Sequence, residues 1–128
     1  MVTQAKKLPA TAAAYFRATN NHDAAAFLVC FSESAIVNDA GREFRGMAAI
    51  KAWCEHEIIE PHVTLEVLDA TSRDEETVVT TKVDGNFDRT GLPDPVIINH
   101  HITIEGDKIV RLTCQLAGEE SVVKTSRT

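Results

Sequence analysis

The sequence predicts one α+β domain in which helices pack on one face of an antiparallel sheet. Before Pro61, apolar residues recur at helical spacing in three segments, and after it they alternate at a spacing of two. Helices followed by a run of strands are typical of a layered α+β fold. The 128 residues suit a single domain, which we expect to span residues 1–128, with a core at about 9–116 and frayed termini.

Three helices are predicted in the first half of the chain. The first begins near Pro9, a residue suited to an early helical position, and stops at Asn20. Asp23 is an N-cap for a second, short helix through Ala24 to Phe31. The third covers Met47 to Ile59 and stops before the next proline.

Six strands are predicted around and after these helices. Two short strands precede the third helix and are joined by a turn at Asp39-Ala40-Gly41-Arg42. Four longer strands follow Pro61, and the last two form a hairpin around a Gly-Asp pair, which is a two-residue turn signal. In chain order, the predicted strands cover residues 35–38, 43–45, 63–67, 77–87, 96–105 and 108–116.

Charge and motifs argue against several classes of function. The net charge is −6 and the basic residues are scattered, so neither a nucleic acid nor an anionic membrane is an expected partner. Neither a targeting segment nor a long apolar run is found. Cys30, Cys54 and Cys114 are odd in number and lack C-x-x-C spacing, a pattern that is typical of free thiols in the cytoplasm. Neither a metal nor a cofactor is predicted, since histidine spacing and nucleotide motifs are lacking.

Four local strings occur in a familiar order between residues 9 and 116. They are Tyr15 to Asp23, Phe31 through Ala35 to Asp39, Phe44-Arg45-Gly46 leading into Ala49 to Trp53, and Gly106 to Val110. Together with the order of elements, they resemble the nuclear transport factor 2-like superfamily, chiefly its SnoaL-like and ketosteroid isomerase-like members. The resemblance implies a cystatin-like cone, in which a curved antiparallel sheet and three N-terminal helices enclose an apolar pocket. It does not fix the function, since the superfamily holds isomerases, cyclases, dehydratases, hydrolases and non-catalytic binders.

The resemblance implies two catalytic residues in the first half of the chain. Asp39 matches the position of the general base, and it is in phase with the apolar residues of the first strand. A base of this kind abstracts a proton beside a carbonyl group. Tyr15 matches the donor of the oxyanion hole. The alternatives are that Asp39 is only a turn residue and that Tyr15 only packs in the core.

The third polar position departs from the isomerase pattern, which has an aspartate before a histidine on the penultimate strand. Matching the chain without a gap puts Asn99 there, whereas the apolar alternation favours His100. His100 can then act as acid, base or donor, or it is a satisfied core histidine. A second departure is Cys54, which replaces a supporting tyrosine with a poor donor.

These residues lead to a hypothesis about the ligand. Trp53 is either pocket wall or core, and Phe16, Phe87 and Asn99 are the other residues expected to contact a ligand. The leading interpretation is acid-base chemistry of the isomerase or cyclase type on a small hydrophobic carbonyl compound. The alternatives are a non-catalytic binding or interaction domain, and a dehydratase or hydrolase that uses Asp39 and His100. The resemblance also implies a homodimer through the outer face of the sheet.

Overall fold

The computed structural model describes residues 8–117, and the predicted fraying of the termini lies outside the described residues. Three helices and a six-stranded sheet make up this part of the chain. The helices are α1 (Ala10–Asn20), α2 (Ala24–Val29) and α3 (Gly46–Cys54). The strands are β1 (Phe31–Asp39), β2 (Arg42–Arg45), β3 (Thr64–Arg73), β4 (Glu76–Asp84), β5 (Val96–Glu105) and β6 (Lys108–Leu116). The α+β class predicted from the sequence is confirmed.

The sheet is curved and unclosed, with the strand order β2-β1-β6-β5-β4-β3. Strands β3 to β6 pair antiparallel, as predicted, and β1 pairs antiparallel with β2. The pairing of β1 with β6 is parallel, so the sheet is mostly rather than wholly antiparallel. The register shifts by extra residues in β1, β3 and β6, and such bulges bend a strand and increase its twist.

The first strand is longer than predicted because the last strand pairs with it. The predicted second helix, to Phe31, ends at Val29, and β1 begins at Phe31 rather than at Ala35. Phe31 pairs with Ile109 of β6, and the Ile109 amide donates to the carbonyl of Cys30 at 2.7 Å. This long-range pairing draws the segment out of the helix, an effect that local propensity does not contain.

The remaining boundaries differ at element ends. The predicted third helix is α3 followed by a π-helical turn, Glu55–Ile59, before Pro61. Strand β3 continues to Arg73, beyond the predicted end at Val67, and β4 ends at Asp84 instead of Phe87. The β5–β6 hairpin has the predicted bounds. None of the helices in residues 8–117 is long and apolar enough to cross a membrane.

The core lies between the helices and the concave face of the sheet. Side chains along β4 and β5 alternate between the two faces of the sheet, so every second side chain of each strand points into the core. Val79 of β4 and Ile102 of β5 are fully buried there. The largest fully buried side chains come from both layers: Tyr15, Phe27, Ile50, Ile102, Ile109 and Leu112. Burial of this apolar surface is the main force that holds the helices on the sheet.

One glycine permits a close approach at the end of β4. Gly85 has φ 147°, and a Cβ atom there would lie 3.0 Å from the carbonyl oxygen of Pro61. The next amide, of Asn86, donates to the same oxygen at 2.6 Å. A side chain at residue 85 would therefore meet backbone that is already held by a hydrogen bond.

Candidate active site

A cavity of about 550 Å³ lies between the helices and the concave face of the sheet. This volume is in the range of small-molecule sites. Its wall is mostly aliphatic, from Ile58, Val63, Leu65, Val83, Leu92, Val96, Ile98 and Leu116. Exposed Arg42, Glu57 and Asp88 belong to the same wall and mark the side where the cavity meets solvent.

Asp39 lies at the end of β1 and points into this cavity. Its Oδ2 atom accepts hydrogen bonds from Trp53 Nε1 and from Arg42 Nη2, both at 3.0 Å. Within residues 8–117, no hydrogen bond falls on Oδ1. The side chain is 21% exposed. The ion pair with Arg42 gives the carboxylate a charged neighbour, in contrast to a base whose surroundings are wholly apolar.

Side chains of both Asn38 and Asp39 contact the turn after β1. The carboxamide of Asn38 accepts a hydrogen bond from the Gly41 amide at 3.1 Å, which caps the turn. Ala40 and Gly41 take positive φ values of 53° and 86°. The Asp39 carboxylate bridges the turn to Arg42 and also accepts from Trp53, so its contacts are not confined to the turn.

Tyr15 projects from α1 with its ring packed among other aromatic rings. Phe16 lies edge-on at 4.8 Å between ring centroids, and Phe27 lies at 5.2 Å. The residue is 1% exposed, and this burial raises the pKa of the phenol well above its usual value. Its hydroxyl is 3.3 Å from Nδ1 of His100. Tyr15 is thus a neutral phenol whose ring is packed on several sides.

His100 lies on β5 with its ring against the inner end of the cavity. It is 4% exposed, and burial lowers its pKa to about 3, so the imidazole is neutral at physiological pH. Nε2 lies 3.1 Å from Thr81 Oγ1, and Nδ1 lies 3.6 Å from Cys114 Sγ. A neutral imidazole in this setting serves as a hydrogen-bonding group, because its protonated form is strongly disfavoured.

The structure places some of the predicted ligand contacts in the cavity wall and others elsewhere. Trp53 and Phe87 line the cavity. Asn99 does not, because alternation along β5 turns it to the other face, where it accepts from Thr80 Oγ1 at 2.7 Å. Phe16 lies outside the wall, edge-on to His100 at 5.3 Å. His100, rather than Asn99, therefore faces the cavity.

Cys54 is buried outside the cavity wall, and burial raises the pKa of its thiol to about 12. It does not support the Tyr15 hydroxyl by any hydrogen bond within the described residues. The support comes from β5, through Nδ1 of His100. The sequence departure at Cys54 is thus matched by a different partner for the phenol.

Three residues of the site carry no role in the predictions from sequence: Thr81, Arg42 and Cys114. Thr81 had a usable signal, since it is a polar residue in the apolar phase of β4 between Val79 and Val83. Arg42 had none, because its partners depend on side-chain geometry after a turn. It contacts Asp39 and, at 3.5 Å, Glu57.

Comparison with known proteins agrees with this architecture. The family model described as a SnoaL-like domain matches residues 12–112. No curated protein matches the chain. A proposed polyketide cyclase from Sinorhizobium meliloti has 30% sequence identity, covers 84% of this chain and 95% of its own, and has a TM-score of 0.76.

Two further solved structures share the fold at lower identity. A protein from Catenulispora acidiphila with a ketosteroid isomerase-like fold, in complex with trimethylamine, is 17% identical over 85% of this chain and 86% of its own, with a TM-score of 0.72. A nuclear transport factor 2-like protein from Cytophaga hutchinsonii is 11% identical over 91% and 98%, with a TM-score of 0.70. The match over residues 12–112 shows that this chain belongs to the SnoaL-like domain family, within the nuclear transport factor 2-like superfamily.

Proposed function

We propose that this domain binds a small, mostly apolar carbonyl compound and moves a proton at the carbon next to the carbonyl group. The observation that carries the proposal is that Asp39, Tyr15 and His100 all line one cavity whose remaining wall is largely aliphatic. The likeness to the proposed polyketide cyclase, at 30% identity, supports a reaction of the isomerase or cyclase type.

Asp39 is the proposed base, acting through Oδ1. Its other oxygen is held by Trp53 and Arg42, so the carboxylate plane is fixed while Oδ1 has no competing partner within residues 8–117. In the reaction, the C–H electron pair moves into the adjacent C–C bond, the carbonyl oxygen gains negative charge, and Oδ1 takes the proton. Where the substrate has a C=C bond next to that carbon, the carbonyl re-forms, the double bond shifts, and return of the proton to its far carbon completes an isomerisation and regenerates the carboxylate.

Tyr15 is the proposed donor to the oxygen that gains charge. A buried neutral phenol stabilises an enolate more strongly than water does, because the surrounding aromatic rings exclude solvent. His100 acts through Tyr15 in this proposal, since its neutral ring is within hydrogen-bond distance of the hydroxyl. The acid role considered for His100 is not retained, because with a pKa of about 3 the imidazolium form that would act as the acid is not populated at neutral pH.

The test uses 2-tetralone, a bicyclic ketone with acidic protons between its ring and its carbonyl group. Deuterium uptake at that carbon in D2O, followed by proton NMR, measures proton abstraction directly. Asp39→Asn should reduce the catalysed rate by at least about 100-fold. Glu60→Gln is the control, since it removes an exposed carboxylate that lies outside the cavity wall, and it should stay within about three-fold of wild type.

Binding is measured separately through Trp53, the single tryptophan of the sequence, which lines the cavity and reports occupancy by its fluorescence. We expect Asp39→Asn to bind 2-tetralone with an affinity within about three-fold of wild type, because only a proton acceptor is lost. Equal exchange rates in wild type and Asp39→Asn would refute the role of Asp39.

A second candidate function is non-catalytic binding of the same kind of ligand. The ion pair between Asp39 and Arg42 favours it, because an isomerase base in an apolar setting would have no such partner. A binder would quench Trp53 with 2-tetralone and yet give no deuterium uptake above the buffer rate. The exchange assay therefore separates the two candidates.

We also propose a cytoplasmic homodimer. The three buried cysteines are free thiols, which supports a reducing compartment. On the outer face of the sheet, Val78 and Ile97 add apolar surface on neighbouring strands. Analytical ultracentrifugation of wild type and Ile97→Lys tests the dimer: the lysine should shift the protein to a monomer, and an unchanged sedimentation coefficient would refute this interface.

A further inference from the structure

Two hydrogen-bond donors compete for one acceptor at the inner end of the cavity. The Tyr15 hydroxyl lies 3.3 Å from Nδ1 of His100, and the Cys114 thiol lies 3.6 Å from the same nitrogen. An unprotonated ring nitrogen has one lone pair and accepts one good hydrogen bond. All three residues are buried, so a donor or acceptor left without a partner here is costly.

Thr81 bears on which nitrogen is the acceptor. Its hydroxyl lies 3.2 Å from the carbonyl oxygen of Ile98 and 3.1 Å from Nε2 of His100, and it has one proton to donate. The carbonyl oxygen can only accept, so we assign that proton to Ile98 and let the hydroxyl accept from Nε2. With this assignment the imidazole proton is on Nε2, and Nδ1 is the unprotonated nitrogen that meets Tyr15 and Cys114.

Both competing groups carry a proton at physiological pH. Burial raises the pKa of the Tyr15 phenol and of the Cys114 thiol well above their usual values. The Tyr15 ring is fixed by its neighbours, Phe16 and Phe27 among them, so the torsion about its C–O bond decides where its proton points. Tyr15 and Cys114 both line the cavity, and so the same hydroxyl can also reach a ligand.

We propose that Cys114 is a positioning residue that replaces Tyr15 at Nδ1 of His100 when a ligand oxygen is bound. In the empty cavity, Tyr15 donates to Nδ1. When a carbonyl oxygen enters, Tyr15 turns its proton onto that oxygen, and the Cys114 thiol donates to Nδ1 instead. This inference rests on the proposed role of Tyr15 as a donor and adds the group that makes the donor available. Without the thiol, turning Tyr15 towards a ligand leaves Nδ1 buried with no donor.

The test compares 2-tetralone with tetralin, the matching hydrocarbon without an oxygen, by Trp53 fluorescence. The measured quantity is the ratio of the two affinities, which cancels any change in cavity shape. Cys114→Val removes the donor and adds about one methyl group, so it should lower this ratio by about five-fold or more. Cys114→Ala is the second variant, since a smaller side chain fits the same position if valine disturbs the fold.

A double-mutant cycle with Tyr15→Phe distinguishes positioning from a general effect on structure. Tyr15→Phe should remove the preference for the ketone, and Cys114→Val should then change the ratio by less than about two-fold. A preference that depends on Tyr15 but not on Cys114 would overturn this inference and leave the proposed function intact. A wild-type protein with no preference for the ketone would overturn both.

Discussion

Lowering the pH from 7 to 5 should weaken the fold by about 2 kcal/mol through His100 alone. In the folded protein its pKa is about 3, so the buried ring stays neutral over this range. In the unfolded chain the pKa is about 6.5, and the ring gains nearly a full proton by pH 5. The unfolded state thus binds more protons, and stability falls by about 1.4 kcal/mol for each pH unit below 6.5 until the pH approaches 3.

The assay is urea unfolding of wild type and His100→Gln at pH 7 and pH 5. Glutamine keeps a donor close to the position of Nε2, where Thr81 accepts. The other four histidines and all the carboxylates are present in both proteins, so the difference between the two pH dependences isolates His100. Wild type should lose about 2 kcal/mol more than the variant.

Two results would refute this reasoning. One is an equal pH dependence in wild type and His100→Gln. The other is a folded-state NMR titration in which the ring protons of His100 shift between pH 8 and pH 5, which would mean that the ring gains a proton while still buried. Either result would also remove the argument that His100 is a neutral partner of Tyr15.

Four further substitutions test the packing in and around the site. Gly85→Ala should lower the free energy of unfolding by about 1–3 kcal/mol, because the added Cβ meets backbone atoms. Gly41→Ala has open space around the added Cβ at φ 86°, and it should cost about 1 kcal/mol. Equal losses for the two variants in urea unfolding would contradict the close approach at Gly85. Ile102→Ala, at a fully buried position, should lower the free energy of unfolding by about 2–5 kcal/mol. A loss below about 1 kcal/mol would mean that neighbouring side chains move to fill the space that the smaller side chain leaves. Arg42→Gln should lower the free energy of unfolding by less than about 1 kcal/mol in the same assay, because the Arg42 side chain is 52% exposed and its ion pair with Asp39 is screened by solvent. A larger loss would show that Arg42 stabilises the fold in addition to orienting Asp39.

The β5–β6 hairpin was predictable from sequence to the residue. Its strands alternate apolar and polar side chains, and Gly106 and Asp107 both take the positive φ values that a tight hairpin turn requires. The same alternation decided correctly that His100, not Asn99, faces the cavity. Local signals were sufficient here because the two strands are neighbours in the chain.

The start of β1 was not predictable, because its partner is distant in sequence. Ser32, Glu33 and Ser34 carry no strand signal of their own, and the segment is extended because β6 pairs beside it. The π-helical turn Glu55–Ile59 was also missed, since its apolar spacing is that of an ordinary helix. In both places tertiary contacts outweigh local preference.

The site was predictable in its members but not in their partners. Phase and resemblance pointed to Asp39 and Tyr15, and both line the cavity. That Arg42 and Trp53 would share one oxygen of Asp39 depends on side-chain torsions, about which sequence patterns contain no information. The roles assigned to these residues stay predictions until the exchange and binding assays are done.

The position of β6 in the strand order has a consequence for synthesis of the chain. This strand lies between β1 and β5 and is the only link between the β2-β1 pair and the β5-β4-β3 block. Among the strands of the described chain, β6 is synthesised last. Until it emerges from the ribosome, the two parts of the sheet are not joined, and β1 and β5 each have an unpaired edge. Such edges are where misfolded chains associate. A nascent chain arrested before Lys108 is therefore the form in which this protein is most exposed to aggregation and most dependent on chaperones.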